Sequence, residues 1–348
     1  MKNTIFFFLN LLLAAALVAC RKDTGPAETA PTAYQLVIPT SLPPMPIPPD
    51  NPLTVEGVTL GRKLFYDPIL SGDNSMACAD CHLQKDAFTD IRQFSRGITG
   101  EEGARNAMPL FNLGWQKKFF WDGRAKSLEQ QALRPIQDPI EMHESLANAV
   151  AELQAHPEYP DLFKQAFGAE IIDTLLIAKA IAQFERTMIS GNSKFDQWKR
   201  NEASLTDAEQ RGMSLFNNPE KGDCAHCHSF GSTFSDFEFR NTGLDSIPVD
   251  RGLAKVTGLP TDAGKFKTPS LRNIEYTAPY MHDGRFATLE ESLEHYNTGF
   301  FYTANLDAGL AHLQKGRLTQ QDVSDLVAFL KTLSDPDFLS NPAFAKPE

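Results

Sequence analysis

Cysteine constrains this chain more than any other residue type, because four of its five cysteines fall into two copies of one pattern. Cys78-Ala79-Asp80-Cys81-His82 and Cys224-Ala225-His226-Cys227-His228 each place two thiols and an imidazole within five residues. That spacing puts the three groups on one turn. Two thiols can then add across the vinyl groups of a porphyrin while the histidine reaches its iron. A zinc site would gather four ligands, and each motif offers three. A thioredoxin-like redox pair has no need of the histidine. The pattern therefore reads as two c-type haems, attached at Cys78 with Cys81 and at Cys224 with Cys227. His82 and His228 are the proximal iron ligands.

The fifth cysteine, Cys20, sits at the end of a different signal. Lys2 gives a positive start, Ile5 to Ala19 is almost wholly apolar, and Leu17-Val18-Ala19 runs directly into Cys20. The run is short for a membrane span and reads as the core of a signal peptide over residues 1–19. A cysteine placed directly after the small residue resembles a bacterial lipobox, which predicts lipidation of Cys20. The expected location is exported and periplasm-facing, anchored to a bacterial membrane by lipid. Residues 20–52 are rich in proline, including Pro43-Pro44-Met45-Pro46-Ile47-Pro48-Pro49. Proline without glycine predicts an extended, semi-rigid spacer.

The remainder carries a weak internal duplication. Gly61-Arg62-Lys63-Leu64-Phe65 precedes the first haem motif, and Gly212-Met213-Ser214-Leu215-Phe216 precedes the second. Downstream, Trp121-Asp122-Gly123-Arg124 is matched by His282-Asp283-Gly284-Arg285. Each copy reads as helix, haem motif, long loop, Asp-Gly-Arg turn and capped helix. Ser127 with Gln130, Thr206 with Glu209, and Thr288 with Glu291 are spaced as capping boxes. Glu170 to Ser190 reads as a long helix, and Val323, Leu326, Val327, Leu330 and Leu333 fall at helical spacing. Strand signals are few. The expected fold is mainly α, as two tandem cytochrome c-like domains over residues 53–200 and 201–340, each binding one haem. A net charge of −11 disfavours nucleic acid and suits a cationic protein partner.

The sequence resembles the bacterial dihaem cytochrome c peroxidases. Their relatives include the dihaem enzyme that matures tryptophan tryptophylquinone. The carrying segments are Gly103-Ala104-Arg105-Asn106, Phe120-Trp121-Asp122-Gly123-Arg124, Thr268-Pro269-Ser270-Leu271-Arg272-Asn273 and Ala278-Pro279-Tyr280-Met281-His282-Asp283-Gly284-Arg285. The resemblance implies a peroxidatic haem in the amino-terminal half. It also implies a relaying haem in the carboxy-terminal half that takes electrons from a small donor protein such as a cytochrome c. Hydrogen peroxide is the implied substrate, and dimers occur in the family.

Two departures from the family pattern bear on function. Many family peroxidases place a loop histidine on the peroxidatic iron when oxidised; that position here is Ile98. No histidine lies between His82 and His143, so an open first iron is expected, with His143 as the rival ligand. Family peroxidases usually bind the second iron by a methionine fourteen positions after the His-Asp-Gly histidine, whereas the maturation enzyme and some other relatives use tyrosine there. Here that position is Tyr296. Leu289, Leu293 and Tyr296 share a helical face while His295 is displaced from it. Met281, His282 and His295 are the competing ligands. A tyrosinate would lower the reduction potential.

The resemblance further implies that Gln131 and Glu141 are the distal pair on the peroxide side, with Glu141 as acid and base. It makes Trp121 the relay between the haems. It makes Asn106, Thr277 and Pro279 oxygen ligands of a calcium ion between the domains. The implied enzyme is a cytochrome c peroxidase. Two rivals stand beside it. One is a maturation-type oxidase acting on tryptophan or another residue of a partner protein. The other is a non-enzymatic dihaem electron carrier.

Overall fold

Residues 30–348 are described by the structure, a computed structural model. The readings of residues 1–19 as a signal sequence and of Cys20 as a lipid carrier lie outside the described residues. Among the described residues no helix is long and apolar enough to cross a membrane.

Twelve α-helices carry the described chain: α1 Val55–Tyr66, α2 Leu128–Gln137, α3 Leu146–Ala155, α4 Tyr159–Phe167, α5 Thr174–Thr187, α6 Lys194–Lys199, α7 Asp207–Asn217, α8 Ala254–Thr257, α9 Leu289–Glu294, α10 Ala308–Ala311, α11 Gln320–Lys331 and α12 Pro336–Ser340. One two-residue antiparallel pair, β1 Phe239–Arg240 with β2 Phe266–Lys267, is the only sheet among them. The expectation of a mainly helical chain therefore holds.

The duplication is visible as geometry. α1 packs along α5, and α7 along α11. Gly61 and Gly212, matched positions of the repeat, lie at these two crossings. A Cβ on Gly61 would meet Ala180 O at 1.9 Å, and one on Gly212 would meet Asp325 O at the same distance. Only glycine lets the backbones approach this closely. Both Asp-Gly-Arg turns are closed by an antiparallel bridge, Phe119 to Ala125 and Tyr280 to Phe286. Both put a left-handed residue two places before the aspartate, Phe120 at φ 63° and Met281 at φ 73°.

Helix starts follow local chemistry. Thr206 with Glu209 and Thr288 with Glu291 form reciprocal capping boxes. Ser127 accepts from the Gln130 amide, but the Gln130 side chain reaches past it to the Lys126 amide. Asp173 caps α5, which is shorter than the Glu170–Ser190 span read from periodicity. Residues 170–172 form the connection from α4, so the apolar run overstated the helix.

Two apolar clusters sit in the first half. One gathers Phe65, Phe88, Phe111 and Phe184; the other gathers Leu64, Ile136, Tyr159, Phe163 and Ile181. The second half has one, around Phe195, Phe216, Phe234, Leu326 and Phe329. The carboxy-terminal tail does not stay with the second half: Phe338 and Phe344 join the first-half cluster.

Residues 31–52 also depart from expectation. They are part of the body rather than a spacer. Residues 31–348 form one compact unit, with Leu42, Met45 and Asn51 buried. Trp115 Nε1 donates to Pro43 O at 3.0 Å, Ser41 Oγ to Gly191 O at 3.1 Å, and Gln183 Nε2 to Asn51 Oδ1 at 2.9 Å. Proline preorganises an extended strip whose carbonyls still accept, and its interleaved apolar residues dock where donors are available.

Candidate active site

Each haem motif folds as a single 3₁₀ turn, Cys78–Asp80 and Cys224–His226, placed just after α1 and α7. The histidine of each is oriented the same way. His82 Nδ1 lies 2.8 Å from Phe88 O, and His228 Nδ1 lies 3.2 Å from Phe234 O. Phe88 and Phe234 both hold a left-handed φ, at 57° and 52°, which turns these carbonyls back toward the imidazoles. A carbonyl can only accept, so Nδ1 carries the proton and Nε2 keeps its lone pair for a metal. Burial lowers the affinity of both rings for a second proton, taking His228 to about 4.

Burial also pushes the four thiols up, Cys81 to about 11 and Cys78, Cys224 and Cys227 to about 12. All four are free.

A cavity of about 460 Å³ opens over the first motif and one of about 220 Å³ over the second. The first lies within the range of ligand pockets, about 300–1,000 Å³, and the second is tighter. Each is lined by its two cysteines and its histidine. The donor set at both cavities fits a covalently held haem.

Gln131 and Glu141 line the first cavity together. Gln131 projects from α2, and its Oε1 is buried without a partner. Glu141 follows the turn after α2. Burial, aided by nearby Asp138 and opposed by Arg124, raises its carboxyl to about 7. His82 is the one histidine lining this cavity. Ile98 donates its amide to Glu141 O at 2.9 Å and so braces the glutamate's backbone. His143, the rival ligand, is exposed and lies outside the cavity.

Trp121, Lys267, Asn106, Ala107 and Pro109 line both cavities and form the wall between them. Trp121 Nε1 donates to Asn106 O at 2.9 Å, and Asn106 N donates to His282 O at 2.8 Å. One residue thus bridges the two repeat-matched positions, Trp121 and His282. Arg105 ties the halves from the same segment, donating to Asp122 and to Asp250 at 2.6 Å each. Those contacts hold the Asp250 carboxyl well below the usual range, against the upward push of its burial.

The second cavity separates the rival ligands. Tyr296, Met281 and His282 line it, whereas His295 does not. His295 Nε2 is 3.1 Å from Thr242 O, and burial pulls its ring down to about 4. His282 stacks on Phe266 with ring centroids 3.6 Å apart. Tyr296 opens differently from a regular helix: after α9 the chain widens into a π-turn over His295–Gly299. Such turns concentrate at functional sites. Burial pushes the Tyr296 phenol above its ordinary value.

Asn106, Thr277 and Pro279 converge on the second cavity. Their donor set is neutral oxygen, which suits calcium only with other oxygens added. Among the described residues the one group of three clustered histidine, cysteine or acid ligand atoms is His226, Cys227 and Asp307, and Cys227 belongs to the haem motif.

Two residues at these cavities were invisible to motif reading. Glu185 lines the first cavity, 3% exposed, with Oε2 unpartnered and its carboxyl raised by burial to about 8. Its signal was a charge within a helix whose last turns are buried on every side. Lys267 gave no signal beyond a lysine beside Phe266.

The comparisons with known proteins agree with this geometry. Residues 55–204 match the family model described as di-haem cytochrome c peroxidase. The chain is 35% identical to "Methylamine utilization protein MauG" of Methylophilus methylotrophus, covering 94% of this chain and 96% of that one. It is 34% identical to "Cytochrome-c peroxidase IdrP1" of Pseudomonas sp. (strain SCT), covering 94% and 92%. A crystal structure of a MauG-like protein associated with microbial copper homeostasis superposes with a TM-score of 0.83 at 38% identity, covering 90% and 99%. With relatives this similar along nearly its whole length, and with a cavity over each of its two Cys-x-x-Cys-His motifs, the chain belongs to the di-haem cytochrome c peroxidase family.

Proposed function

We propose that this protein reduces hydrogen peroxide to water in the first cavity, using electrons that enter through the second from a small exported redox protein. The carrying observation is that Gln131 and Glu141 share one cavity with His82, into which no other histidine projects. When bound, the haems supply the redox iron and His82 and His228 hold it.

The remaining steps belong to the protein. Glu141, raised to about 7, stands near its midpoint at neutral pH. It can take a proton from one peroxide oxygen and return it to the other as water leaves. The unpartnered Oε1 of Gln131 can accept from a peroxide O–H and orient it. Trp121, in the wall of both cavities, is the route for electrons between them. Tyr296 lines the second cavity together with His228, and the two side chains would hold the second haem's iron. A calcium ion at Asn106, Thr277 and Pro279, completed by water, would stiffen that wall. Export, with Cys20 lipidated, belongs to the same reading.

Turnover with peroxide and a reduced cytochrome c tests it. Glu141→Gln removes the base and should lower kcat/KM by about 10²–10⁴-fold. Retention of full activity would refute the assignment.

A second reading is favoured by Tyr296, which stands where the family's peroxidases usually carry methionine and the maturation enzyme carries tyrosine. It is a maturation-type oxidase acting on a residue of a partner protein. Faster oxidation of a protein substrate than of reduced cytochrome c would select it. Two six-coordinate low-spin irons in every redox state would leave a simple electron carrier.

A further inference from the structure

Five cationic side chains line the first cavity, and four already have carboxylate partners. Arg96 pairs with Glu102, Arg105 with Asp122 and Asp250, Arg124 with Asp122, and Lys255 with Asp250. Lys267 is the exception. It is 2% exposed. Its Nζ donates to Gln116 Oε1 and, at 3.0 Å, to Lys118 O, and lies 5.7 Å from the Phe119 ring centroid. All three neighbours are neutral.

A buried ammonium without a counter-ion costs several kcal/mol. Here burial pulls Lys267 down to about 7, with only the field of Asp122 opposing. The contrast within this molecule is Arg272, equally buried but paired with Asp196 at 2.7 Å. Gln116 and Phe119 line the first cavity beside Lys267, so the ammonium sits on that side of the wall. A c-type haem anchored through its vinyl groups brings two carboxylates of its own, the propionates.

We propose that Lys267 is the counter-ion of a propionate of the haem attached at Cys78 and Cys81, and that this pairing raises that haem's reduction potential. A positive charge held near the macrocycle favours the iron state with one more electron. The Lys267 amide also donates to Trp121 O at 2.8 Å. The backbone of Lys267 is therefore pinned to the backbone of Trp121, whose indole lines both cavities, and Lys267 acts as a positioning residue. The proposal rests on the reading that the first cavity holds a haem.

The test uses the holoprotein, with Lys267→Met, Lys267→Gln and Lys267→Arg. Redox titration follows each haem separately, and resonance Raman reads the propionate bending bands. In the two neutral variants the first haem's potential should fall and its propionate bands should shift, with the second haem unmoved. Lys267→Arg should hold the potential while shifting the bands, because a planar fork replaces a point charge. Neutral variants with two haems per chain and wild-type potential and bands would overturn the proposal. So would a shift confined to the second haem. Should the neutral variants fail to accumulate, Lys267→Arg decides, and unchanged propionate bands overturn it. A wild-type chain without covalent haem at Cys78 and Cys81 would instead sink the cofactor reading on its own.

Discussion

At the scale of single residues, the buried charges separate into those the fold pairs and those it leaves for chemistry. Arg272 and Asp196 are both fully buried and joined by two hydrogen bonds of 2.7 and 2.9 Å, with Ser193 also donating to the aspartate. Asp196→Ala would strand the guanidinium and should cost about 3–5 kcal/mol in chemical denaturation. Glu185 is the opposite case, buried and raised to about 8. Above the ordinary glutamate value of 4.5 the unfolded chain ionises while the folded one keeps its proton. Folding then takes up a proton, so stability contributed by this group is lost as pH rises from 4.5 toward 8. Glu185→Gln should flatten the fall of stability across that window, and an unchanged slope would show that another group causes it. Neither behaviour was legible in the sequence, where Glu185 and Asp196 are two acids among forty-four. The haem cysteines and histidines were legible because covalent attachment dictates their spacing, whereas burial is decided by residues far along the chain.

At the scale of elements, the sequence exposed what local chemistry enforces. The capping boxes at Thr206 and Thr288 start helices where expected, since their partners lie three residues away. The π-turn carrying Tyr296 was not foreseen. The face shared by Leu289, Leu293 and Tyr296 nonetheless emerged, because one widened turn shifts a helical face only slightly. The duplicated glycines carry a sharper consequence. Gly61 sits where any Cβ would strike the Ala180 carbonyl carbon and oxygen, at 2.6 and 1.9 Å, and backbone cannot swing aside as a side chain can. Gly61→Ala should force α1 from α5 and destabilise the protein by about 1–3 kcal/mol or more. The helix propensity gained by alanine, about 1 kcal/mol, does not offset that. Gly100 is the contrast: it has open space around it but a left-handed backbone at φ 80°, so alanine there meets no atom and carries backbone strain alone. A clearly larger loss of stability for Gly61→Ala than for Gly100→Ala in thermal unfolding would show that close packing at Gly61 outweighs backbone strain at Gly100.

At the scale of the molecule, the two repeats are stitched together by segments that the repeat pattern does not contain. Asp335, buried just after α11, accepts from Ser190 Oγ and from the amides of Gly191 and Asn192 at 3.0–3.1 Å. Residues 190–192, close to the expected boundary between the halves at residue 200, are therefore pinned to the far end of the second. Beyond Asp335 the tail crosses back to the first half. Phe338 meets Phe88 and Phe111 edge-on at 5.6 and 5.9 Å, and Phe344 packs on both Phe88 and Phe338. Arg62 and Tyr66 of α1 donate to carbonyls of Pro342, Phe344 and Ala345. Sequence could not show this, since a short run of phenylalanines and prolines names no destination. The crossing implies that the carboxy-terminal tail stabilises the amino-terminal haem site, because Phe88 is the residue whose carbonyl orients His82. Phe338→Ala should cost about 3–5 kcal/mol. Deleting residues 336–348 should loosen the His82 site before the His228 site. Denaturant titration followed by the absorption of each haem would read this. Equal loss at both haems, or earlier loss at the second, would mean that the tail stabilises the molecule as a whole and not the site it covers.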